Sequence, residues 1–119
     1  MIYSFGHKHH PDLDKPGPGS HALVLDVRHF RNPYQNPALR TLGGDDPRVA
    51  ADIEKTIGYG AKFSELVNRV RSFHGPVYLG CQGGRHRSVY LAIRIGRELG
   101  IPVRHLDYTP SSQQKETRS

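Results

Sequence analysis

The segment Val77-Tyr-Leu-Gly-Cys81-Gln-Gly-Gly-Arg-His-Arg87-Ser88, continuing from Val89 to Leu99, leaves the chain few folds to choose from. A short apolar strand leads into a glycine-rich turn crowded with donors, and a helix is predicted to start near His86 or Ser88. A loop between a strand's carboxyl end and a helix's amino end is a ready anion site. The free N–H groups of the first turn point into it, and the helix dipole favours negative charge there. Gly83 and Gly84 are expected to take positive φ and to let the backbone come close to a ligand. Arg85, His86 and Arg87 add donors, and an arginine can grip a phosphate through two parallel hydrogen bonds. The segment therefore predicts a phosphate cradle with Cys81, Gln82, Gly83, Gly84, Arg85, His86, Arg87 and Ser88 as its candidate contacts.

Around this unit the remaining pattern alternates strands with helices. Ile2 to Gly6 predicts a first strand. A Pro/Gly-punctuated loop follows to Ser20, carrying His7, His9 and His10. Three histidines invite a metal reading, but no spaced Asp, Glu or Cys completes a shell, so a solvated or ligand-facing loop is preferred and no metal is expected. Ala22 to Arg28 is near-continuously apolar, as in a strand covered on both faces. It ends in Asp26 and Arg28, where open α/β sheets place ligands, although an ordinary ion pair explains the two residues equally well. The stretch from Phe30 to Pro37 reads as an ordered loop. Asp46 before Pro47 marks a helix start, and Gly58 and Gly60 keep that helix short. Phe63, Leu66, Val67, Val70 and Phe73 form the apolar face of a second helix. In the helix after the cradle, Val89, Ala92, Ile93, Gly96 and Leu99 are the expected buried stripe, with Arg94, Arg97 and Glu98 toward water. Gly100 should end it before a last strand from Ile101 to Asp107.

The expected fold is a single three-layer α/β domain over residues 1–108. Its sheet should be largely parallel, with about four strands flanked by helices, and residues 109–119 should form a disordered polar tail. Seventeen Lys and Arg against eleven Asp and Glu give a net charge of +6, so an anionic partner is expected. With no apolar run of spanning length and no signal-peptide pattern, a soluble cytoplasmic location is expected. The single cysteine excludes an internal disulfide, leaving Cys81 as a buried small hydrophobe or a functional thiol.

Two chemical readings of the cradle remain. Cys81 and Arg87 are spaced Cys-x5-Arg and followed by Ser88, which resembles the phosphate loop of cysteine-dependent tyrosine phosphatases. There a thiolate attacks phosphorus, the arginine binds the equatorial oxygens and an aspartate protonates the leaving group. Cys81, Arg87 and Asp26 would be the catalytic set, with Asp45 and Asp46 as other candidates for the acid.

The second resemblance runs through most of the chain. Ser4-Phe5-Gly6-x-Lys8, Leu25-Asp26-Val27-Arg28, Asn32-Pro33, Pro37-x-Leu39-Arg40 and Gly44-x-Asp46-Pro47 occur in that order. Gly80-Cys81-x-Gly83-Gly84-x-His86-Arg87-Ser88-Val89-Tyr90 and Val103-Arg104-His105 complete the set. Together they resemble the carboxy-terminal domain of the RNase adaptor family RapZ. The resemblance implies a sensor or adaptor domain rather than an enzyme. It would bind glucosamine-6-phosphate or a related phosphorylated metabolite and need no cofactor. RNA, a regulatory protein partner and a second copy of the chain are the further partners it implies. It maps a ligand pocket onto the 81–87 loop and the Asn32-Pro33-Tyr34 turn; Asp26 and Arg28 are added as secondary candidates from their strand end. These 119 residues hold no Walker-type glycine loop, so nucleoside-triphosphate hydrolysis is not carried over. A basic RNA-binding module without metabolite control is the third alternative.

Overall fold

A computed structural model of the protein describes residues 1–14 and 21–110. Four strands, β1 (Ile2–Gly6), β2 (Leu23–Asp26), β3 (Val77–Cys81) and β4 (Val103–His105), form one sheet in the order β2-β3-β1-β4. Every pairing is parallel. Three helices complete the open α/β domain: α1 (Pro47–Ile53), α2 (Tyr59–Arg71) and α3 (Arg87–Leu99). The expected fold class is therefore the observed one. The predicted tail from Ser111 onward lies outside the described residues, as does the 15–20 part of the first loop.

Local chemistry sets the helix ends. The Asp46 carboxylate accepts from the Arg48 N–H at 2.8 Å and Pro47 takes the first helical position, so α1 starts where the sequence predicts. At the other end of α3, Gly100 adopts φ +67 and its N–H bonds back to Gly96 O. A connection through α1 and α2 joins β2 to its parallel neighbour β3, and α3 carries the chain from β3 across β1 to β4.

Strand residues of one parity face a single core. Ile2, Leu25, Val77, Leu79 and Cys81 pack there with Val49 and Ile53 of α1, Leu66, Val67 and Val70 of α2, and Leu91, Ala92 and Ile95 of α3. Each fully buried aliphatic side chain contributes about 1.5–3 kcal/mol. Helix α3 lies centrally, against β1, β3 and β4 on one side and α1 and α2 on the other. That position corrects the predicted stripe: Tyr90, Leu91 and Ile95 are buried, while Ile93 and Leu99 are only half-buried. Arg94, predicted to face water, is half-buried with its guanidinium 5.7 Å from the centre of the Phe63 ring.

The opposite face carries Tyr3 stacked on Tyr78 at 4.7 Å and the fully buried Phe5. Among the described residues its cover is the 7–14 connection, whose His7 and His10 rings pack edge-on against Phe5. Strand β2 is corrected too. It forms an edge of the sheet rather than a strand buried on both faces, with Leu25 buried and Leu23 and Val24 half-buried.

Because all strands are parallel, their carboxyl ends share one rim. Gly6 pairs with Cys81 and Asp26 with Gly80. Beyond the ladder, His7 N–H bonds to Cys81 O at 2.8 Å and Lys8 N–H to Gln82 O at 3.2 Å, laying the start of the first loop beside the cradle. This is the rim where open α/β sheets bind ligands.

Candidate functional site

A cleft of about 420 Å³ opens at that rim. Its floor is the predicted loop: Cys81, Gln82, Gly83, Arg85, His86 and Arg87 all line it. Gly84 has φ +73, and a Cβ there would stand 2.6 Å from Gly6 N, so this glycine lets the loop lie directly on β1. Gly83, in contrast, does not have positive φ, and its nearest neighbour to an added Cβ is Lys8 Cε at 3.8 Å. Of the two glycines expected to turn left-handed, one does.

Arg87 is buried, 6% exposed, and its Nη1 donates to Arg28 O at 2.6 Å and Phe30 O at 3.2 Å. Those carbonyls aim the guanidinium into the cleft wall beside Cys81. Burial lowers the arginine's pKa and the neighbouring Cys81 opposes that shift, but an arginine stays cationic at neutral pH. Cys81 is buried with Sγ 3.1 Å from Ser88 Oγ; Ser88 is fully buried beneath the cleft. Helix α3 has no side-chain N-cap hydrogen bond and no acidic residue in its first turn.

His86 and Arg85 are tied into structure. His86 Nε2 lies 3.2 Å from Leu39 O, and burial holds its imidazole below the ordinary histidine range, so it is a neutral donor at pH 7. Arg85 donates to Leu42 O at 3.0 Å and to Thr41 O, and its guanidinium sits over Tyr108. Both line the cleft while pinning the 39–42 segment. Gly44 sits beneath it: its N–H bonds to Arg85 O at 2.9 Å, and a Cβ there would meet His86 O at 2.4 Å.

The second group of predicted residues divides. Asn32 and Tyr34 line the cleft, whereas Asp26 and Arg28 are not part of its lining. Their side chains meet in a two-pronged ion pair, with Arg28 Nη2 2.8 Å from Asp26 Oδ2. Its hydrogen bonds to Arg28 hold the Asp26 carboxyl below the usual carboxylate range. The three histidines also separate: His7 is buried 3.8 Å from Asp26, His9 lines the cleft, and His10 Nε2 lies 3.0 Å from Asp107 Oδ1. Among the described residues no three His, Cys, Asp or Glu side chains gather as metal ligands.

Four lining residues were not picked out as site residues from the sequence: Lys8, Arg40, Asp107 and His9, the last only placed in a solvated or ligand-facing loop. Asp107 Oδ2 accepts the Gly6 N–H at 2.7 Å, a contact across 101 residues that no local pattern signals. Lys8 and Arg40 stand inside short recurring motifs, the one signal that marked them.

Residues 1–111 match the RapZ C-terminal domain family. The chain belongs to that family. It is 35% identical to a nucleotide-binding protein of Thioalkalivibrio sulfidiphilus over 88% of its own length and 40% of the relative's. Nucleotide-binding proteins of Rubrobacter xylanophilus and Deinococcus radiodurans are 37% and 38% identical, over 89% and 82% of the chain. The chain spans about two fifths of the length of these curated relatives. This RapZ C-terminal domain has, among its described residues, no helix long and apolar enough to cross a membrane.

Proposed function

We propose that this RapZ C-terminal domain is a non-catalytic sensor or adaptor that binds a phosphorylated small molecule in the loop of residues 81–88. The observation that carries the reading is Arg87: a buried guanidinium, oriented by two backbone carbonyls, beside the uncapped amino end of α3. A phosphate there would meet helix amides, a fixed cation and, from the sides, Lys8 and Arg40. The nucleotide-binding relatives accord with a phosphate-bearing ligand. The family resemblance makes a sugar phosphate such as glucosamine-6-phosphate the first compound to try. Self-association, a regulatory protein partner, RNA and a cytoplasmic location belong to the same proposal and rest on that resemblance. A ligand would act on those partners through differential affinity for two states.

Calorimetric titration with glucosamine-6-phosphate and with inorganic phosphate tests the reading. Saturable binding lost in Arg87→Ala is expected; indifference to Arg87→Ala would overturn it.

The Cys81–Ser88 contact at 3.1 Å, with Arg87 alongside, favours a second reading as a cysteine phosphatase. Among the described residues, none of the aspartates named for the general acid lines the cleft; Asp45 accepts from the Tyr108 hydroxyl and Asp46 caps α1. Asp26 lies off the cleft lining with its carboxyl held ionised by Arg28, and both Asp107 oxygens are engaged by Gly6 N–H and His10. Turnover of p-nitrophenyl phosphate that vanishes in Cys81→Ser would establish the phosphatase instead.

A further inference from the structure

The chain leaves β4 at the rim of the cleft, and the residues around that exit do more than end a strand. Leu106 N–H bonds to Ser4 O at 2.9 Å and His105 Nδ1 lies 2.6 Å from Ser4 Oγ, which fixes the exit beside β1. Asp107 joins the cleft lining, with Oδ2 accepting the Gly6 N–H at 2.7 Å and Oδ1 3.0 Å from His10 Nε2. Tyr108 follows, 8% exposed, and its hydroxyl donates to Asp45 Oδ1 at 2.6 Å. Two glycines make room for this segment. A Cβ on Gly43 would fall on the Tyr108 phenol, and one on Gly84 would stand 3.0 Å from Asp107 Cβ. Residues 105–108 thus form a clasp that joins β1, the first loop, the cradle and the 43–45 turn.

One side chain belongs to both the clasp and the cleft. Arg85 lines the cleft; its Nε and Nη2 donate to Leu42 O and Thr41 O, and its guanidinium lies 5.6 Å from the centre of the Tyr108 ring. Among the described residues its Nη1 has no hydrogen-bond partner. An exposed arginine is otherwise rich in rotamers, and a ring against it with two carbonyls at its edge removes much of that freedom. Tyr108 itself does not line the cleft. Seating Tyr108 therefore fixes a cation at the proposed anion site without touching the anion. We propose that clasp docking and anion binding in the cleft are coupled through Arg85. The state with Tyr108 seated binds the anion more tightly, and a bound anion holds the clasp shut. This rests on the phosphate reading of the same cleft and adds a way for its occupancy to be read on the carboxyl-terminal side of the domain. Such a coupling is reciprocal by thermodynamic necessity, so it can be tested from either end.

The test titrates inorganic phosphate into the full chain and into Tyr108→Ala, Tyr108→Phe, Arg85→Ala and the Arg85→Ala/Tyr108→Ala pair, with amide hydrogen exchange followed in the unaltered chain. Tyr108→Ala should weaken phosphate binding about fivefold or more, although Tyr108 lies off the lining. Tyr108→Phe keeps the ring against Arg85 and loses only the Asp45 bond, so it should retain most of the affinity. Once Arg85 is gone the ring has no cation to hold, and the double variant should bind no worse than Arg85→Ala alone. Saturating phosphate should slow exchange at residues 106–109, a measurement that needs no variant and decides the matter if Tyr108→Ala does not fold. Fully additive losses, or unchanged exchange at 106–109 while phosphate binds, would overturn the clasp and leave the phosphate site standing. Failure of phosphate to bind the unaltered chain would overturn the phosphate reading, and the coupling with it.

Discussion

The floor of the cleft, residues 82–87, and its wall, residues 31–42, face the same space but are held in different ways. The floor is fixed by shape. Gly84 lies on β1 with no room for a Cβ, and Cys81, His86, Arg87 and Ser88 are all buried. The wall is fixed by side chains reaching to backbone carbonyls: Arg40 to Tyr34, Arg85 to Thr41 and Leu42, and His86 to Leu39. Tyr34 and Arg40 stay exposed while doing so. A floor built from backbone and buried groups would present one unchanging receptor to the tetrahedral anion proposed for it. A wall built from exposed side chains can change from one sequence to another without disturbing the core. On the proposed reading, the first would hold the phosphate and the second would meet what the phosphate carries.

The sharpest way to break this contrast is Gly84→Ala. An L-residue at φ +73 costs about 1–3 kcal/mol, and its Cβ would also sit 2.6 Å from Gly6 N, which is backbone and cannot swing aside. A loss of roughly 3 kcal/mol or more is expected, read as a drop in the thermal midpoint of about 10 °C or more. A drop no larger than that of an ordinary surface substitution would show that the floor is not fixed by shape.

Arg87→Ala comes next. Removing a buried, desolvated charge partner of a phosphate should weaken binding roughly 100-fold or more, and Arg87→Lys should recover only part because a single ammonium cannot replace a fork aimed by two carbonyls. Calorimetry on folded variants reads this directly. Full recovery by lysine would mean that charge alone, without the fork's direction, defines the floor.

A pH series separates the two regions more gently. Burial lowers the His86 pKa from 6.5, so the unfolded chain binds the proton more readily than the folded one. Stability should therefore be full above pH 6.5 and fall as the pH drops below it, through the folded value, by at most about 1.4 kcal/mol per pH unit for this group. His105, also lowered by burial, acts in the same sense. The lowered pKa values of Asp26 and Asp46 work in the same direction, but their stabilisation is lost only below the ordinary aspartate value of 3.8, so the decline from these shifted groups between pH 6.5 and 4 belongs to the histidines. Denaturant midpoints at constant ionic strength measure it, and His86→Gln should flatten part of the slope.

How far the sequence carries follows the same division. The floor was legible because its information is local: Cys81 at a strand end, glycines, then a helix that Gly100 ends. Residue type did not reveal direction, however. Arg85 and His86 read as anion donors, yet each spends hydrogen bonds on the 39–42 segment. Asp26 and Arg28 left ligand group and strand-end ion pair equally open, and the structure pairs them with each other. The wall needed the fold, since Asp107 reaches the cleft only because β4 lies beside β1. The stripe on α3 was too narrow because its amphipathic pattern does not show that the helix is covered on two sides.

The smallest expected effect makes the most exacting control. Gly83 neighbours Gly84 in the same turn, lines the cleft, and lacks positive φ; an added Cβ would come no closer than 3.8 Å to Lys8 Cε, the far part of a flexible side chain. Gly83→Ala should therefore change stability by no more than about 0.5 kcal/mol. Any cost should appear in ligand affinity, because the methyl group enters the space where backbone and phosphate would meet. A stable Gly83→Ala with weakened phosphate binding, set against an unstable Gly84→Ala, would divide the turn between the two tasks. On that outcome, Gly84 would seat the loop on β1 and Gly83 would keep the cradle open above it.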